Sequence, residues 1–372
     1  MATGGLEGVV AAQTALSWID GQRGMLVYRG YGIDELAVSA TYEEVVHLLL
    51  EGTLPTRSEL DDATARLGKH ATIPDYVVAA LRSLPKGTTP MEALRTGVSL
   101  LGAGVPTWNE QQLEDTHEAA YAIIAQIPAV LGAFERGRRD DEHVPPQPDR
   151  SVAFNLMLAL TGKEPDDELE RAMDVALVLH AEHTLNASTF AARLTASTLS
   201  DIYSAVVAAI GTLRGPLHGG ANEQVARMLD EIPSVDAVED YVDAKLAAKE
   251  RIMGFGHRVY NTEDPRAPHL REWASRIADA AGNAETVEKA LRVVEVVHDR
   301  KGLYVNVDFF SAPLYTAMGI PRDLYTPIFA ASRAAGWTAH ILEQQSDNRL
   351  IRPSSEYIGE RRQQWVPVDE RG

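Results

Sequence analysis

Hydrophobic residues recur along most of this chain with the spacing of an α-helix that is buried on one face. In the segment 285–298 the apolar positions follow the i, i+3, i+4, i+7 pattern; they are Val287, Ala290, Leu291, Val294 and Val297. The segment 169–179 repeats the pattern. The same spacing predicts further helices over residues 42–50, 90–101, 117–134, 151–160, 186–211, 223–231, 236–252 and 323–345.

Residues 14–31 follow a different pattern, in which apolar and polar positions alternate. The apolar residues stand on both sides of the turn-forming stretch 20–24; they are Leu16, Trp18, Leu26 and Tyr28. No series of strands separated by helices follows, and no glycine-rich nucleotide-binding motif lies after a strand. The sequence therefore predicts an all-α fold with a minor N-terminal β-hairpin.

Glycine and proline interrupt the helical pattern at three places. The stretch 137–150, GRRDDEHVPPQPDR, is charged and proline-rich, which is typical of an exposed loop rather than a domain border. Two glycine- and proline-containing stretches, 215–220 and 319–321, flank a helical block that could rotate on hinges. We therefore expect a small helical domain (220–321) and a large helical domain (1–219 and 322–372) with a cleft between them.

Charge and cysteine content narrow the class of protein. The 372 residues include 35 basic and 53 acidic ones, a formal net charge of −18, so the chain should repel nucleic acid and anionic lipid. Without cysteine it has no disulfide, thiolate metal site or cysteine nucleophile. No signal peptide is recognised, and the longest apolar runs, such as ALVL at 176–179, are too short for a bilayer. We expect a soluble, cytoplasmic protein.

Three of the eleven histidines stand in surroundings that suggest chemistry. His218, in GPLHGGANEQV, lies among glycines before a helix, where a neutral imidazole could face a ligand and donate one hydrogen bond. His257, in MGFGHRV, follows two glycines in a similar way, and His183 lies in HAEHTLNAS. A capped turn with an incidental histidine is the alternative interpretation for His218.

Asp308 lies within the apolar run YVNVDFF, so its carboxylate must be paired or must have a raised pKa. A raised pKa would make it a better base at neutral pH. The alternative is a core aspartate that caps a neighbouring helix. A metal site is a rival hypothesis, because His180 and His183 share one helical face, although no third ligand follows at a recognisable spacing.

Several segments together resemble one family. Citrate synthases of the shorter archaeal and bacterial type carry similar segments in the same order: GLEGVVAAQTALSWIDGQRGMLVYRGYGIDELA, HAEHTLNASTFAAR, GPLHGGANEQV, GFGHRVYNTEDPRA, NVDFFSAP and IRPSSEYIG. The resemblance spans residues 5 to 360. It implies a helical homodimer that condenses acetyl-CoA with oxaloacetate and hydrolyses citryl-CoA to citrate and CoA, with no metal or prosthetic group.

The resemblance also implies a role for each candidate catalytic residue. Asp308 would take a proton from the acetyl methyl group. His218 would hydrogen-bond the thioester oxygen, and His257 would polarise the oxaloacetate ketone and protonate it.

Further residues would bind the substrates. By the resemblance, the oxaloacetate pocket would contain His183, Asn186, Arg266, Arg333 and Arg352, and Arg352 would reach across from the partner subunit. The CoA adenine would lie against the loop that ends at His257, namely Met253, Gly254, Phe255 and Gly256, with Arg258 as the nearest cation for the phosphates.

Three other functions stay open. A 2-methylcitrate synthase would use the same residues with propionyl-CoA, and one methylene changes discrimination by only about 1–3 kcal/mol. A helical binding or regulatory protein could keep the scaffold, although the presence of both histidines, Asp308 and the arginines together speaks against it. A metal-dependent hydrolase that uses His180 and His183 would lose activity when a chelator is added.

The basic residues are 28 arginines and only 7 lysines, which together with the acidic surplus predicts salt adaptation. At about 1 M salt the Debye length is only about 3 Å, so repulsion among surface carboxylates is screened. Activity and melting temperature should then rise steeply between dilute buffer and molar KCl. A flat profile in either measurement would favour the alternative explanation, a codon bias towards arginine.

Overall fold

The computed structural model describes residues 4–6, 8–105, 113–257 and 259–371, which form sixteen α-helices and one small antiparallel sheet. The sheet contains β1 (Ser17–Asp20), β2 (Met25–Tyr28) and β3 (Tyr31–Gly32). The helices are α1 (Ile33–Ser39), α2 (Tyr42–Glu51), α3 (Arg57–His70), α4 (Asp75–Arg82), α5 (Pro90–Ala103), α6 (Leu113–Arg138), α7 (Val152–Thr161), α8 (Asp167–His180), α9 (Ala187–Ala196), α10 (Ile202–Leu213), α11 (Ala221–Glu231), α12 (Val238–Ala247), α13 (Ala267–Ala281), α14 (Glu285–Lys301), α15 (Val307–Ala317) and α16 (Tyr325–Ser346).

The N-terminal hairpin forms where the alternating pattern predicted it. Strands β1 and β2 pair antiparallel, with Ser17 opposite Tyr28 and Asp20 opposite Met25. The Asp20 carboxylate accepts hydrogen bonds from the backbone N–H groups of Gln22 and Arg23, at 3.0 and 3.1 Å, and so closes the turn. The all-α prediction with a minor hairpin is confirmed.

Helix bounds follow the hydrophobic periodicity closely, with two corrections. The predicted helix 186–211 is two helices, α9 and α10, because Leu199 adopts a positive φ of 62° and the Asp201 side chain caps α10. The predicted helix 236–252 ends at Ala247. The periodicity also missed five helices, although the capping box of Thr56 and Glu59 marks the start of one of them; they are α1, α3, α4, α13 and α15.

Helix α16 lies at the centre of the fold. Nearly all of its residues are buried, and it packs against α6, α8, α9 and α10. No continuous apolar run of the sequence is long enough for a bilayer, but the helical residues Asp115–Arg138 in α6 are, by length and overall composition, long and apolar enough to cross one. Because 78% of that apolar window is buried inside the protein, α6 has the character of a core helix.

Helices α11 to α15 pack mainly on one another beside this core. Helix α15 lies against α11 and α13, and α12 lies against α14. Contacts of α13 with α8 and of α11 with α16 connect the block to the core. The division into domains at 219/220 and 321/322 stays a prediction.

Helix α16 donates hydrogen bonds to the C-terminal end of α8. The last carbonyl groups of a helix have no partner inside it and carry the negative end of its dipole. Three groups of α16 donate to these carbonyls: the Ser332 hydroxyl to Leu177 at 2.5 Å, Arg333 Nε to His180 at 2.7 Å, and the Gly336 N–H to Ala181 at 3.1 Å.

Gly336 is the residue that permits this approach, and its replacement by alanine should destabilise the protein. A Cβ there would lie 2.4 Å from the Ala181 carbonyl oxygen and 2.3 Å from Glu182 Oε2. We expect Gly336→Ala to lose about 1–3 kcal/mol of unfolding free energy, measured by denaturant titration, because backbone must shift. Gly32→Ala is the control, since Gly32 has a φ of −65° and open space around it. Equal stability of the two variants would contradict this account.

Candidate active site

Asp308 lies in the first turn of α15, beside the loop that carries His257. Asn306 caps the helix, accepting the Asp308 N–H at 3.1 Å. Its own N–H donates to the Gly254 carbonyl at 2.9 Å, and the Gly256 N–H donates to Tyr304 at 2.9 Å. These paired backbones bring two segments that are remote in the sequence to the same place.

Asp308 is half-buried, and one of its carboxylate oxygens, Oδ1, is buried without a hydrogen-bond partner among the described residues. Burial raises the pKa of Asp308 to about 7, against the attraction of Arg266 and Arg333, while the nearby Asp264 adds to the rise. Of the two states that the sequence allowed for this carboxylate, paired or with a raised pKa, the structure favours the raised pKa.

His257 has a defined tautomer. Its Nδ1 faces the backbone N–H groups of Val259 and Tyr260, at 3.0 and 3.2 Å. A backbone N–H can only donate, so Nδ1 accepts and the proton of the neutral ring lies on Nε2, which has no partner among the described residues. The ring contacts those of Tyr260 and His183, with centroids 4.7 and 5.3 Å apart. Burial and the neighbouring Arg266 lower the pKa of His257 to about 4.

In His218 the ring nitrogen that meets a backbone N–H is Nε2, whereas in His257 it is Nδ1. It lies in the turn before α11, and its Nε2 is 3.3 Å from the backbone N of Ser188 and 2.9 Å from the Ser188 hydroxyl. Because a backbone N–H can only donate, the contact with the Ser188 N–H favours the tautomer in which Nε2 accepts and Nδ1 carries the proton. The pKa of His218 is lowered to about 4, chiefly by burial and further by Arg333. The neutral state expected from the sequence is confirmed, with burial as its first cause.

Ser188 connects His218 to the core. Its hydroxyl accepts from Trp337 Nε1 at 3.1 Å and lies 2.8 Å from Asn186 Oδ1. Asn186 in turn caps α9 by accepting the Thr189 N–H at 3.1 Å. Asn186 thus holds the turn that positions Ser188.

Two buried arginines supply positive charge. Arg266 forms a bidentate pair with Asp264, at 2.9 and 2.7 Å, and Asp264 also accepts the Val307 N–H at the start of α15. Arg333 donates only its Nε, to His180. One terminal nitrogen of Arg266 and both terminal nitrogens of Arg333 have no partner among the described residues, so each guanidinium can still bind an anion.

Most of the residues proposed from the sequence converge in this region. Arg266 and Arg333 both act on the pKa values of Asp308 and His183, and burial together with these two cations holds the pKa of His183 well below its usual range. His183 Nε2 lies 3.3 Å from the Tyr260 hydroxyl.

The proposed CoA loop lies beside the start of α15, whereas Arg352 lies on the C-terminal segment. Arg352 is exposed on the C-terminal segment, without an ion pair in the described part of the chain. The Phe255 ring packs on Phe309, Gly254 is buried, and Met253 and Gly256 keep some exposure. Arg258 lies outside the described residues.

Sequence reasoning missed four residues of this region, which are Glu182, Ser188, Tyr260 and Asp264. All four stand in the quoted motifs within four residues of a proposed site residue, so proximity was the available signal. Tyr260 follows His257 in the same segment. Across the described residues, no group of three histidine, aspartate or glutamate side chains is arranged to hold a metal ion.

The fold and the site define a helical enzyme with a buried acid–base centre and cations for an anionic substrate. The family model "Citrate synthase, C-terminal domain" matches residues 5–354. Citrate synthase of Haloferax volcanii is 49% identical over 99% of this chain and 98% of its own. The structure of the ternary complex of citrate synthase from Thermoplasma acidophilum with carboxymethyl coenzyme A and oxaloacetate is 35% identical, with a TM-score of 0.91 over 99% of this chain and 98% of that one.

The chain belongs to the citrate synthase family, and its activity is that of an acyltransferase that makes citrate. A 2-methylcitrate synthase of Shewanella oneidensis is also similar, at 39% identity over 99% of this chain and 97% of its own. The lower identity favours the citrate synthase reading.

Replacement of Asp308 by asparagine should make the protein more stable at alkaline pH. The carboxyl titrates at about pH 7 in the folded state and near its ordinary 3.8 when unfolded, so its ionisation increasingly opposes folding between these values. The gain in melting temperature of Asp308→Asn should be full above pH 7 and should vanish towards pH 4. Asp149→Asn, at an exposed loop position, is the control and should show no such trend. A gain that grows towards acid pH would refute the assignment.

Proposed function

We propose that Asp308, His218 and His257 carry out the condensation. The Asp308 carboxylate takes a proton from the methyl group of acetyl-CoA, while the Nδ1–H of His218 hydrogen-bonds the thioester oxygen. The resulting enolate carbon forms a bond to the ketone carbon of oxaloacetate. The Nε2–H of His257 polarises that ketone and protonates its oxygen as the bond forms. Water then cleaves the thioester of citryl-CoA to give citrate and CoA.

The proposal is supported by the protonation states of three groups: the neutral imidazoles of His218 and His257, which can donate, and the carboxylate of Asp308, which can accept a proton. Backbone N–H groups favour the tautomers with the proton on Nδ1 of His218 and on Nε2 of His257, and the half-buried Asp308 carboxylate has a buried, unpaired Oδ1 and a pKa of about 7. A thioester α-proton is weakly acidic, so the charge that moves onto oxygen needs a preorganised donor. Such a donor contributes about 3–4 kcal/mol where one has been removed from other enzymes, and acid–base help adds roughly 10²–10⁴ in rate.

Arginines would bind the two carboxylates of oxaloacetate. Arg266 and Arg333 are buried beside His257 and His183 and keep unpaired terminal nitrogens, which suits the planar geometry of a carboxylate. Arg352 lies on an exposed C-terminal segment, consistent with a contribution to the site of a partner subunit in a homodimer.

CoA would lie along the loop 253–256, with Arg258 near its phosphates. Gly254 at φ 80° lets this loop pass against Phe309, where a Cβ would lie within 2.9 Å of the ring. No metal or other cofactor enters the proposed reaction. We also propose that residues 220–321 close over the substrates as a small domain, which keeps water out until citryl-CoA has formed. The cytoplasmic location stays an expectation from the sequence.

The test is release of free thiol from acetyl-CoA and from propionyl-CoA, each with and without oxaloacetate, at low and at molar KCl. We expect release that requires oxaloacetate and is faster with acetyl-CoA. Asp308→Asn should lower kcat at least about 10²-fold, because the base is lost, while oxaloacetate binding measured by calorimetry stays nearly intact.

Each alternative has its own signature in this experiment. Faster turnover of propionyl-CoA would assign the 2-methylcitrate synthase reaction. Near-normal turnover by Asp308→Asn would remove Asp308 from the mechanism, and absence of thiol release under every condition would refute the proposed function.

A further inference from the structure

The tip of the N-terminal hairpin lies against the segment that follows His257, although the two are remote in the sequence. In this hairpin turn (residues 20–24) the Gly21 carbonyl accepts the Asn261 N–H at 2.8 Å. A Cβ on Gly21 would overlap the Val259 carbonyl oxygen and would lie 2.8 Å from the carbonyl carbon. The φ of Gly21 is not positive, so this close approach of two backbones is the reason that only glycine fits.

The turn contacts the residues that set the tautomer of His257. The backbone N–H groups of Val259 and Tyr260 face Nδ1 of His257, so the proton of the neutral ring lies on Nε2. The ring of Tyr260 also packs on that of His257, and Tyr260 is buried. A shift of this backbone would therefore move both the partners of Nδ1 and the side chain that supports the imidazole.

The backbone of residues 257–263 has few other supports. On either side of it, main-chain hydrogen bonds to residues 304 and 305 hold the chain beside the start of α15. Among the described residues between these two points, the bond from Asn261 to Gly21 is the only main-chain hydrogen bond to another part of the chain. The position of this backbone therefore depends on the turn.

The base of the hairpin is fixed to residues 182–184, at the end of α8. The Ser17 hydroxyl accepts the Thr184 N–H at 3.1 Å. The Tyr28 hydroxyl donates to the Glu182 carbonyl at 2.8 Å, and the Tyr28 side chain is fully buried. The hairpin therefore has a fixed base on one segment of the site and places its turn against another.

We propose that the hairpin turn is a positioning element for His257. It holds the backbone of Val259 and Tyr260 where their N–H groups keep the imidazole in the tautomer with the proton on Nε2, the proton that the oxaloacetate ketone receives. The turn acts through His257 and takes no direct part in the reaction. This inference rests on the proposed function, since it takes His257 as the donor to the ketone.

Gly21→Ala is the first test. The added Cβ would push the turn and the Val259 carbonyl apart, and misplacement of a reacting group by about 1 Å can cost about 10²-fold in rate. We expect kcat, measured by thiol release from acetyl-CoA in the presence of oxaloacetate, to fall about 10- to 10²-fold. The dissociation constant of oxaloacetate, measured by calorimetry, should stay nearly unchanged, because the proposed arginine ligands are not displaced.

Gly68→Ala is the matched control for a merely structural effect. A Cβ there would overlap the Pro148 carbonyl oxygen and lie 2.9 Å from its carbon, but α3 carries no residue of the proposed site. Gly68→Ala should lose stability to denaturant and keep the wild-type kcat. Gly32→Ala, on β3 of the same sheet with open space around it, should keep both. Equal losses of kcat in Gly21→Ala and Gly68→Ala would overturn the proposal.

The tautomer of His257 gives a readout that does not depend on activity. In protein labelled with 15N-histidine, NMR separates a ring nitrogen that carries a proton from one that accepts, and His257→Gln identifies the signals of His257. We expect a proton on Nε2 in the wild type and a mixture of both tautomers in Gly21→Ala. An unchanged tautomer in Gly21→Ala would overturn the proposal. A changed tautomer with wild-type kcat would support the positioning role and would instead remove His257 from the proposed function.

Asp20 provides a second test, which also decides the matter if Gly21→Ala does not fold. Its Oδ1 closes the turn by accepting the N–H groups of Gln22 and Arg23. Asp20→Ala removes both bonds and should change kcat and the tautomer in the same direction as Gly21→Ala, by a smaller factor. Asp20→Asn keeps the acceptor oxygen and should keep the wild-type values. Wild-type kcat and tautomer in Asp20→Ala would overturn the proposal.

Discussion

The contact between α16 and the C-terminal end of α8 is the interaction on which the site depends. A helix end buried in protein must find donors for its last carbonyl groups. Here the donors come from a neighbouring helix, and one of them is Arg333. The same contact fixes the backbone of residues 180–183. The hydrogen bonds that satisfy the last carbonyl groups of α8 therefore also position Arg333 and His183.

Burial then sets the protonation states of the site. Removal from water disfavours the charged form of every group, so it lowers the pKa of His218 and His257 and raises that of Asp308. The outcome is two neutral imidazoles and one carboxyl group with a pKa of about 7. Two arginines nearby limit the rise for Asp308, and each keeps part of its guanidinium free.

Much of the architecture could be predicted from the chain itself. Helix periodicity, the hairpin and the glycine-rich breaks follow local rules, because each depends on residues only a few positions apart. Helices such as α3 and α13 were missed where the apolar pattern is weak, and the predicted helix 186–211 was divided by a capping aspartate whose signal was not used. The glycine-rich segments around His218 and His257 and the apolar run around Asp308 indicated these three residues as candidate catalytic residues.

The sequence by itself determined which side chains are available and which segments are helical, since propensity and amphipathic spacing act locally. Only the tertiary structure decided which nitrogen of each histidine carries the proton, because the deciding N–H groups, such as that of Ser188 for His218, come from packing. It also decided that Glu182 is fully buried, because two helices that are remote in the sequence meet at Gly336, and long-range contacts of that kind leave no local pattern.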